Sequence, residues 1–139
     1  MPTLPWAPGS ARTGLDRGEV VVMASRFELT SYRDVPAFFL AALRVHQQVR
    51  RADGAIGVSL VARPLHRTFF TVSSWTEREA VTAMIRCEPH RSVMTTFREC
   101  TADSAFVFWT APADVRPDWA DAYRRLGCDV RGKAPRPTS

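Results

Sequence analysis

The chain has 139 residues, enough for one domain with a substantial hydrophobic core and too few for two such domains. Hydrophobic residues make up 45% of it, and no apolar run approaches the roughly 20 residues that a membrane-spanning helix needs. The formal net charge of +5 comes almost entirely from arginines scattered along the sequence, whereas a nucleic-acid-binding protein usually clusters its basic residues. These features argue against a membrane protein and against a nucleic-acid-binding protein.

The N-terminal sequence lacks the basic region followed by an apolar stretch that marks a secretory signal, so the expected location is the cytoplasm. Cys87, Cys100 and Cys128 form no Cys-x-x-Cys pair and no even-numbered disulfide framework. We therefore expect reduced thiols that are mostly packed inside the protein.

Residues 1–18 are rich in proline and glycine and have no apolar periodicity, which predicts an extended N-terminal arm with Trp6 as its only large anchor. In residues 19–29, successive side chains would point to opposite faces of a strand, and both faces carry apolar residues. They predict a first strand that is covered on both sides, with Ser25 and Phe27 on one of its faces.

A helix is predicted from Asp34, as its N-cap, to about Ala52, where Asp53 and Gly54 end it. Its apolar stripe includes one imidazole, because the residues at helical spacing are Val35, Phe39, Ala42, Leu43, His46 and Val49. His46 is therefore expected to face inward.

Residues 55–63 and 68–75 predict two further strands, rich in β-branched and aromatic residues and joined as a hairpin. Gly57 inside the first of them indicates a bulge or a close approach by another group. His66 lies in the connection and is expected to be exposed. Trp75 ends the second strand, directly before a helical pattern begins.

The helical pattern after Trp75 is interrupted in its middle. Thr76 and Glu79 have the spacing of a capping box at its start. Pro89 breaks the run, because proline lacks an amide hydrogen and clashes with the preceding turn. Beyond the break, a second inward stripe is formed by His90, Val93, Met94 and Phe97.

The last part of the chain predicts one strand and one short helix. Residues 105–110 are apolar on both faces of a fourth strand, and residues 117–126 form an amphipathic helix that Gly127 ends. Residues 128–139 have no periodicity and predict a disordered tail. Residues 19–127 are thus predicted to form a single domain.

The predicted order is β-α-β-β-α-β with an extra C-terminal helix, which is a ferredoxin-like α+β fold with a four-stranded antiparallel sheet. In this fold both long helices cover one face of the sheet, and the other face is usually polar. Here the other face is apolar, so a second subunit is expected to bury it; the residues concerned include Val20, Val22, Phe70 and Val72. We therefore predict a homodimer.

Two segments resemble a known group of proteins. They are the strand Phe69-Phe70-Thr71-Val72-Ser73-Ser74-Trp75-Thr76 and the helix with Glu88-Pro89-His90, Met94 and Phe97. Together with the element order, they resemble the dimeric α/β-barrel superfamily, in particular antibiotic biosynthesis monooxygenases and uncharacterised proteins similar to them. The resemblance covers residues 19–110 and implies a ligand cavity inside each subunit, between the helices and the sheet.

The resemblance places the candidate functional residues around that cavity. His90 is the candidate general base, because an inward imidazole titrates near neutral pH. His46 is a second catalytic candidate, and Arg86 is a candidate counter-charge for a substrate anion. The candidate substrate-binding residues are Trp75, Phe27, Ser25 and Arg63. The competing interpretation is purely structural, with packed histidines, a tryptophan in the core and solvated arginines.

The resemblance implies a small monooxygenase-like enzyme that acts on an aromatic or polyketide-type secondary metabolite without a flavin or metal, the substrate anion itself reacting with O₂. The sequence holds no phosphate-binding glycine loop, no dinucleotide fingerprint and no spacing typical of metal ligands, which agrees with that chemistry. One alternative is a haem enzyme with His90 as the axial ligand. Another is a non-catalytic dimer that binds a small ligand, with Trp6 and Trp119 as lids.

Overall fold

A computed structural model of the chain describes residues 3–9, 18–112 and 117–127. In chain order, the elements within these residues are β1 Thr3–Pro8, β2 Glu19–Leu29, α1 Val35–Arg51, β3 Ala55–Arg63, β4 Thr68–Trp75, α2 Arg78–Ile85, α3 His90–Phe97, β5 Thr101–Pro112 and α4 Trp119–Arg125. The predicted tail, residues 128–139, and with it Cys128, lies outside the described residues.

The strands form one antiparallel sheet in the order β1-β3-β4-β2-β5. Apart from β1, this is the arrangement of a ferredoxin-like sheet, so the predicted fold class is confirmed. The strand β2 lies between β4 and β5, where Phe27 pairs with Phe69 and Ser25 pairs with Phe106. Because successive residues of a strand point to opposite faces, β2 supplies side chains to the middle of both layers.

The N-terminal arm contributes a fifth strand that the periodicity did not predict. β1 pairs with β3 at the edge of the sheet, and its indole at Trp6 lies against Gly57. A Cβ atom on Gly57 would stand 2.2 Å from the indole, so only glycine fits there. The register of β3 against β4 shifts between Ala55 and Gly57. Both expectations for Gly57, a bulge and a close approach, are therefore confirmed.

The helices α1, α2 and α3 cover one face of the sheet, and α1 is turned slightly from the predicted stripe. Phe38 is buried while Phe39 is only half-buried, because the Phe38 ring packs 4.7 Å from the ring of Phe69 on β4. Because Phe38 and Phe39 are adjacent, the apolar periodicity by itself does not show which of the two faces the sheet. Asp34 occupies the predicted N-cap position of α1 but makes no side-chain capping hydrogen bond; it also ends a short 3₁₀ turn that Ser31 caps.

The second helical run is broken as predicted, between Ile85 and His90. The predicted capping box at its start is wrong, since α2 begins at Arg78 with Glu77 at the N-cap position and no side-chain capping bond. The break leaves two helices of eight residues each, α2 and α3, and puts His90 at the first position of α3.

The opposite face of the sheet is covered by α4. A continuous apolar cluster joins that helix to the sheet, and its buried members are Val20, Val22, Ala24, Val61, Phe70, Val72, Ala122, Tyr123 and Leu126. The ring of Phe70 lies 5.0 Å from the ring of Tyr123. This corrects the reasoning behind the predicted dimer: a helix of the same chain, and not a second subunit, buries these sheet residues.

Two further observations concern the surface. Cys87 is exposed, which corrects the expectation of a packed thiol, whereas Cys100 is half-buried. Within the described ranges, no helix has the length and apolar character needed to cross a membrane.

Candidate functional site

A cavity of about 70 Å³ lies between the helical layer and the sheet. Its lining is mostly apolar and comes from β2, β3, β4, β5, α1 and α3, together with Met84 of α2. The cavity separates two apolar clusters of this layer, one around Trp75 and Val81 and the other around Phe38 and Phe69. The core on this side of the sheet therefore consists of two parts, and polar side chains line the cavity between them.

Two imidazoles line the cavity from the helical side. His46 projects from α1 and His90 from the first position of α3, and each is only 8% exposed. Nε2 of His46 and Nδ1 of His90 are buried and lack a hydrogen-bond partner among the residues that the structure describes. Since a buried polar atom without a partner is costly, these two nitrogens are available for a ligand or for water.

Both imidazoles are held in the neutral form. Burial lowers the pKa of His46 below its ordinary value of 6.5, and the positive charge of Arg50 lowers it further. Burial also lowers the pKa of His90, opposed by a hydrogen bond to the carbonyl of Ile85.

The position of His90 depends on Gln48 of α1. The side-chain oxygen of Gln48 accepts a hydrogen bond from the backbone N–H of His90 at 2.8 Å. The amide nitrogen of Gln48 donates to the carbonyls of Met84 and Cys87 at 2.9 and 3.2 Å. One side chain thus caps the end of α2 and the start of α3, where Pro89 provides no capping group. Gln48 therefore holds the junction between α2 and α3 in place, and with it His90.

The sheet side of the cavity carries hydroxyl groups. Ser25 and Thr71 lie opposite each other on β2 and β4, and their hydroxyls share a hydrogen bond. The hydroxyl of Ser73 accepts a hydrogen bond from the indole nitrogen of Trp75 at 2.8 Å. Small polar residues leave space where larger residues would fill it, which is why a void persists beneath the histidines.

A second and more open space adjoins the cavity. It has a volume of about 430 Å³ and a partly polar lining. We call it the vestibule; its lining residues are Phe27, Phe38, Met94, Phe97, Arg98, Thr101, Ala102, Asp103, Ser104 and Phe106. Four of these residues, Phe27, Phe38, Met94 and Phe106, also line the cavity and thus form the partition between the two spaces.

Four of the seven candidate residues line this cavity, namely His46, His90, Ser25 and Phe27. The other three do not, and those assignments are corrected. Trp75 is fully buried in the neighbouring apolar cluster. Arg63 lies on the opposite face, with its guanidinium 5.7 Å from the centre of the Phe70 ring. Arg86 is exposed at the end of α2 and lines neither space.

The predicted lids are also on the wrong side. Trp6 and Trp119 both pack against the apolar cluster under α4, across the sheet from the cavity. The indole nitrogen of Trp119 donates to the hydroxyl of Ser59 there, at 3.3 Å. Neither tryptophan is placed to cover the histidines.

Sequence reasoning missed several residues of the site. Gln48 lies off the apolar stripe of α1 and gives no periodic signal. The alternation of β4 places Thr71 and Ser73 on the same face as Phe69, so these two hydroxyl residues were within reach of a sequence argument. Phe38 and Phe106 join the site only because of how the elements pack, whereas Met94 lies on the predicted inward stripe of His90.

The size of the cavity argues against one predicted arrangement. Large ligands usually occupy pockets of roughly 300–1,000 Å³, whereas the cavity beside His90 is about 70 Å³. A haem bound axially by His90 therefore does not fit this cavity unless it is joined to the vestibule.

Comparisons with known proteins support the fold. No protein-family profile matches the chain, and no curated protein matches it significantly. Among solved structures, a protein assigned as an antibiotic biosynthesis monooxygenase from Nitrosomonas europaea has a TM-score of 0.60 at 15% identity, over 66% of this chain and 89% of that one. A counterpart from Deinococcus radiodurans has a TM-score of 0.61 at 11% identity, over 70% and 98%.

SnoaB, a cofactor-independent oxygenase from Streptomyces nogalater, has a TM-score of 0.55 at 16% identity, over 73% of this chain and 100% of that one. At such low identities the likeness concerns the fold. The chain therefore has the ferredoxin-like fold found in antibiotic biosynthesis monooxygenase structures, as the sequence resemblance implied.

Proposed function

We propose that this protein is a small monooxygenase-like enzyme that oxidises an acidic aromatic or polyketide-type compound without a flavin or a metal. One observation carries the proposal: two buried, neutral imidazoles, each with an unpartnered ring nitrogen among the described residues, line a single apolar cavity. The fold shared with SnoaB, a cofactor-independent oxygenase, supports the same chemistry.

In this proposal His90 is the general base. A neutral imidazole accepts a proton at its unprotonated ring nitrogen, here from an acidic phenol or from the carbon acid that is its tautomer. The lowered pKa keeps this acceptor unprotonated at neutral pH. His46 faces the same cavity and hydrogen-bonds the oxygen on which negative charge develops, provided that its Nε2 carries the proton.

The oxidation balances without a further reductant when the reacting group is a CH₂ carbon flanked by the aromatic system. The base removes one proton, and the resulting anion passes electrons to O₂ and forms a carbon–peroxide bond. Loss of the second hydrogen as a proton, with cleavage of the O–O bond, leaves a carbonyl and releases water. One O₂ is consumed for each carbonyl formed, and the substrate supplies all four electrons.

The test measures O₂ uptake and carbonyl formation by the purified full chain with anthrone as the substrate probe, in the presence of a chelator. We expect turnover in the native protein and a decrease of about 100-fold or more in kcat for His90→Ala. His66→Ala is the matched control, because His66 is exposed and lies outside the cavity. Its rate is expected to be unchanged.

Two results would contradict the proposal. Equal rates for native protein and His90→Ala would remove the base from the mechanism. Tight binding of anthrone without O₂ uptake by the native protein would instead identify a non-catalytic binding protein.

We also propose that the protein is a homodimer, formed along β5 and not over the sheet residues that α4 covers. β5 is an edge strand, and several of its residues that face the α4 side remain only half-buried, among them Val107 and Trp109. A second copy packed along this part of the sheet would complete their burial. Light scattering after gel filtration is expected to give twice the chain mass of 15.6 kDa, and Val107→Glu is expected to shift it to the monomer. A native protein that elutes as a monomer would refute the dimer.

A further inference from the structure

The cavity is smaller than the ligand that the proposed function requires. An apolar cavity of about 150 Å³ is what one benzene ring occupies in a protein interior, and the space beside the histidines is about 70 Å³. A compound with two or three fused rings cannot reach His46 and His90 unless the space grows. The adjoining vestibule, at about 430 Å³, has the missing volume.

Three of the four residues that separate the two spaces are phenylalanines. The ring of Phe27 contacts the ring of Phe106 edge to face, with centres 5.3 Å apart. On its other side Phe27 lies 5.9 Å from Phe38. Met94, the fourth member of the partition, is unbranched and adapts its shape at low cost. Opening the partition would join the cavity to the vestibule.

The members of the partition differ in how firmly they are held. Phe38 is 4% exposed and contacts three other rings, those of Phe27, Phe69 and Phe97. Phe106 is 47% exposed and projects from an edge strand. Its rotation away from Phe27 breaks one ring contact and disturbs little else. Phe106 is therefore the member that can move.

We propose that Phe106 determines which ligands reach the histidine pair, and that the ligand is a phenol with at least two fused rings which spans the partition. Its acidic end lies at the histidines, and its remaining rings occupy the vestibule. There Thr101, Ser104 and Arg98 provide polar groups for ring substituents. This inference rests on the proposed function for the orientation of the ligand, but it concerns entry and not turnover.

The test follows binding of 1-naphthol to the purified full chain by stopped-flow fluorescence. We expect Phe106→Ala to raise the association rate constant roughly three- to tenfold, because the edge-to-face contact no longer has to break. Phe106→Trp is expected to lower it. Phe106→Leu, with a side chain of intermediate size, should fall between alanine and the native residue.

The matched control is Phe108→Leu. Phe108 follows on the same face of β5 and lines neither space, so this variant is expected to leave the association rate constant unchanged. The proposal is overturned if Phe106→Ala binds 1-naphthol no faster than the native protein, or if no variant binds it at all. If the association rate constant of 1-naphthol changes with the residue at position 106 while anthrone is not oxidised, the role of Phe106 in ligand entry stands and only the enzymatic function is rejected.

Discussion

The two faces of the sheet are packed in opposite ways. Under α4 the core is one continuous apolar cluster, built around Phe70, Val72 and Tyr123. Under α1, α2 and α3 it consists of two clusters with a cavity between them, and the strand residues at that point are Ser25, Thr71 and Ser73. The same strands thus present large side chains to one layer and small polar ones to the other. The α4 face is therefore the solid side of the core, and the face under α1, α2 and α3 is the side that contains a cavity.

The strongest test of this division is the substitution Phe70→Ala. Phe70 is fully buried and packs against Tyr123 and Arg63. We expect the free energy of unfolding to fall by about 3–5 kcal/mol, as measured by urea denaturation. A loss below about 1 kcal/mol would show that the α4 face is not the solid side of the core.

A smaller effect is expected from Gln48→Leu on the helical face. The variant leaves the N–H of His90 without its partner and removes one of two hydrogen bonds to each of the carbonyls of Met84 and Cys87, so we expect a loss of about 1–3 kcal/mol. Gln48→Glu keeps an acceptor for His90 and should lose less. The positioning role predicts in addition that the pKa of His90, followed by NMR, changes in Gln48→Leu. In the neighbouring exposed variant Gln47→Leu neither quantity should change.

The hydroxyl pair of the cavity should contribute less again. Ser25→Ala removes one partner of the bond to Thr71, for an expected loss of about 0.5–1.5 kcal/mol. The double variant Ser25→Ala, Thr71→Val removes both partners and is expected to cost less than the sum of the single changes. Additive losses in a double-mutant cycle would mean that the two hydroxyls do not interact.

The smallest effect is a gradual dependence of stability on pH. The unfolded histidines titrate at their ordinary pKa of 6.5, and the folded His46 and His90 titrate below it. In the interval between these values the unfolded chain binds more protons, so stability is fully present above pH 6.5 and decreases as the pH falls further. Replacing both residues by Phe should flatten the curve, whereas His66→Ala should not. Unchanged stability on acidification would contradict the lowered pKa values.

The sequence anticipated part of the site for identifiable reasons. His46 and His90 recur at helical spacing with apolar residues, and Ser25 and Phe27 alternate on one face of a strand, so their shared direction follows from local geometry. Trp75 and Arg63 sit on predicted strands as well. Their roles were misjudged because strand position does not reveal whether a side chain meets a cavity, a neighbouring cluster or the opposite layer.

The amino-acid sequence by itself determined the order of the elements from β2 onward, the break at Pro89 and the inward direction of both imidazoles, since each depends on residues close together in the chain. The tertiary structure decided which layer contains the void. It also decided that α4 and not a second chain covers Phe70, and that Gln48 holds His90 in place. These features join residues far apart in sequence, and only the packing of complete elements determines which distant side chains meet and where space is left between them.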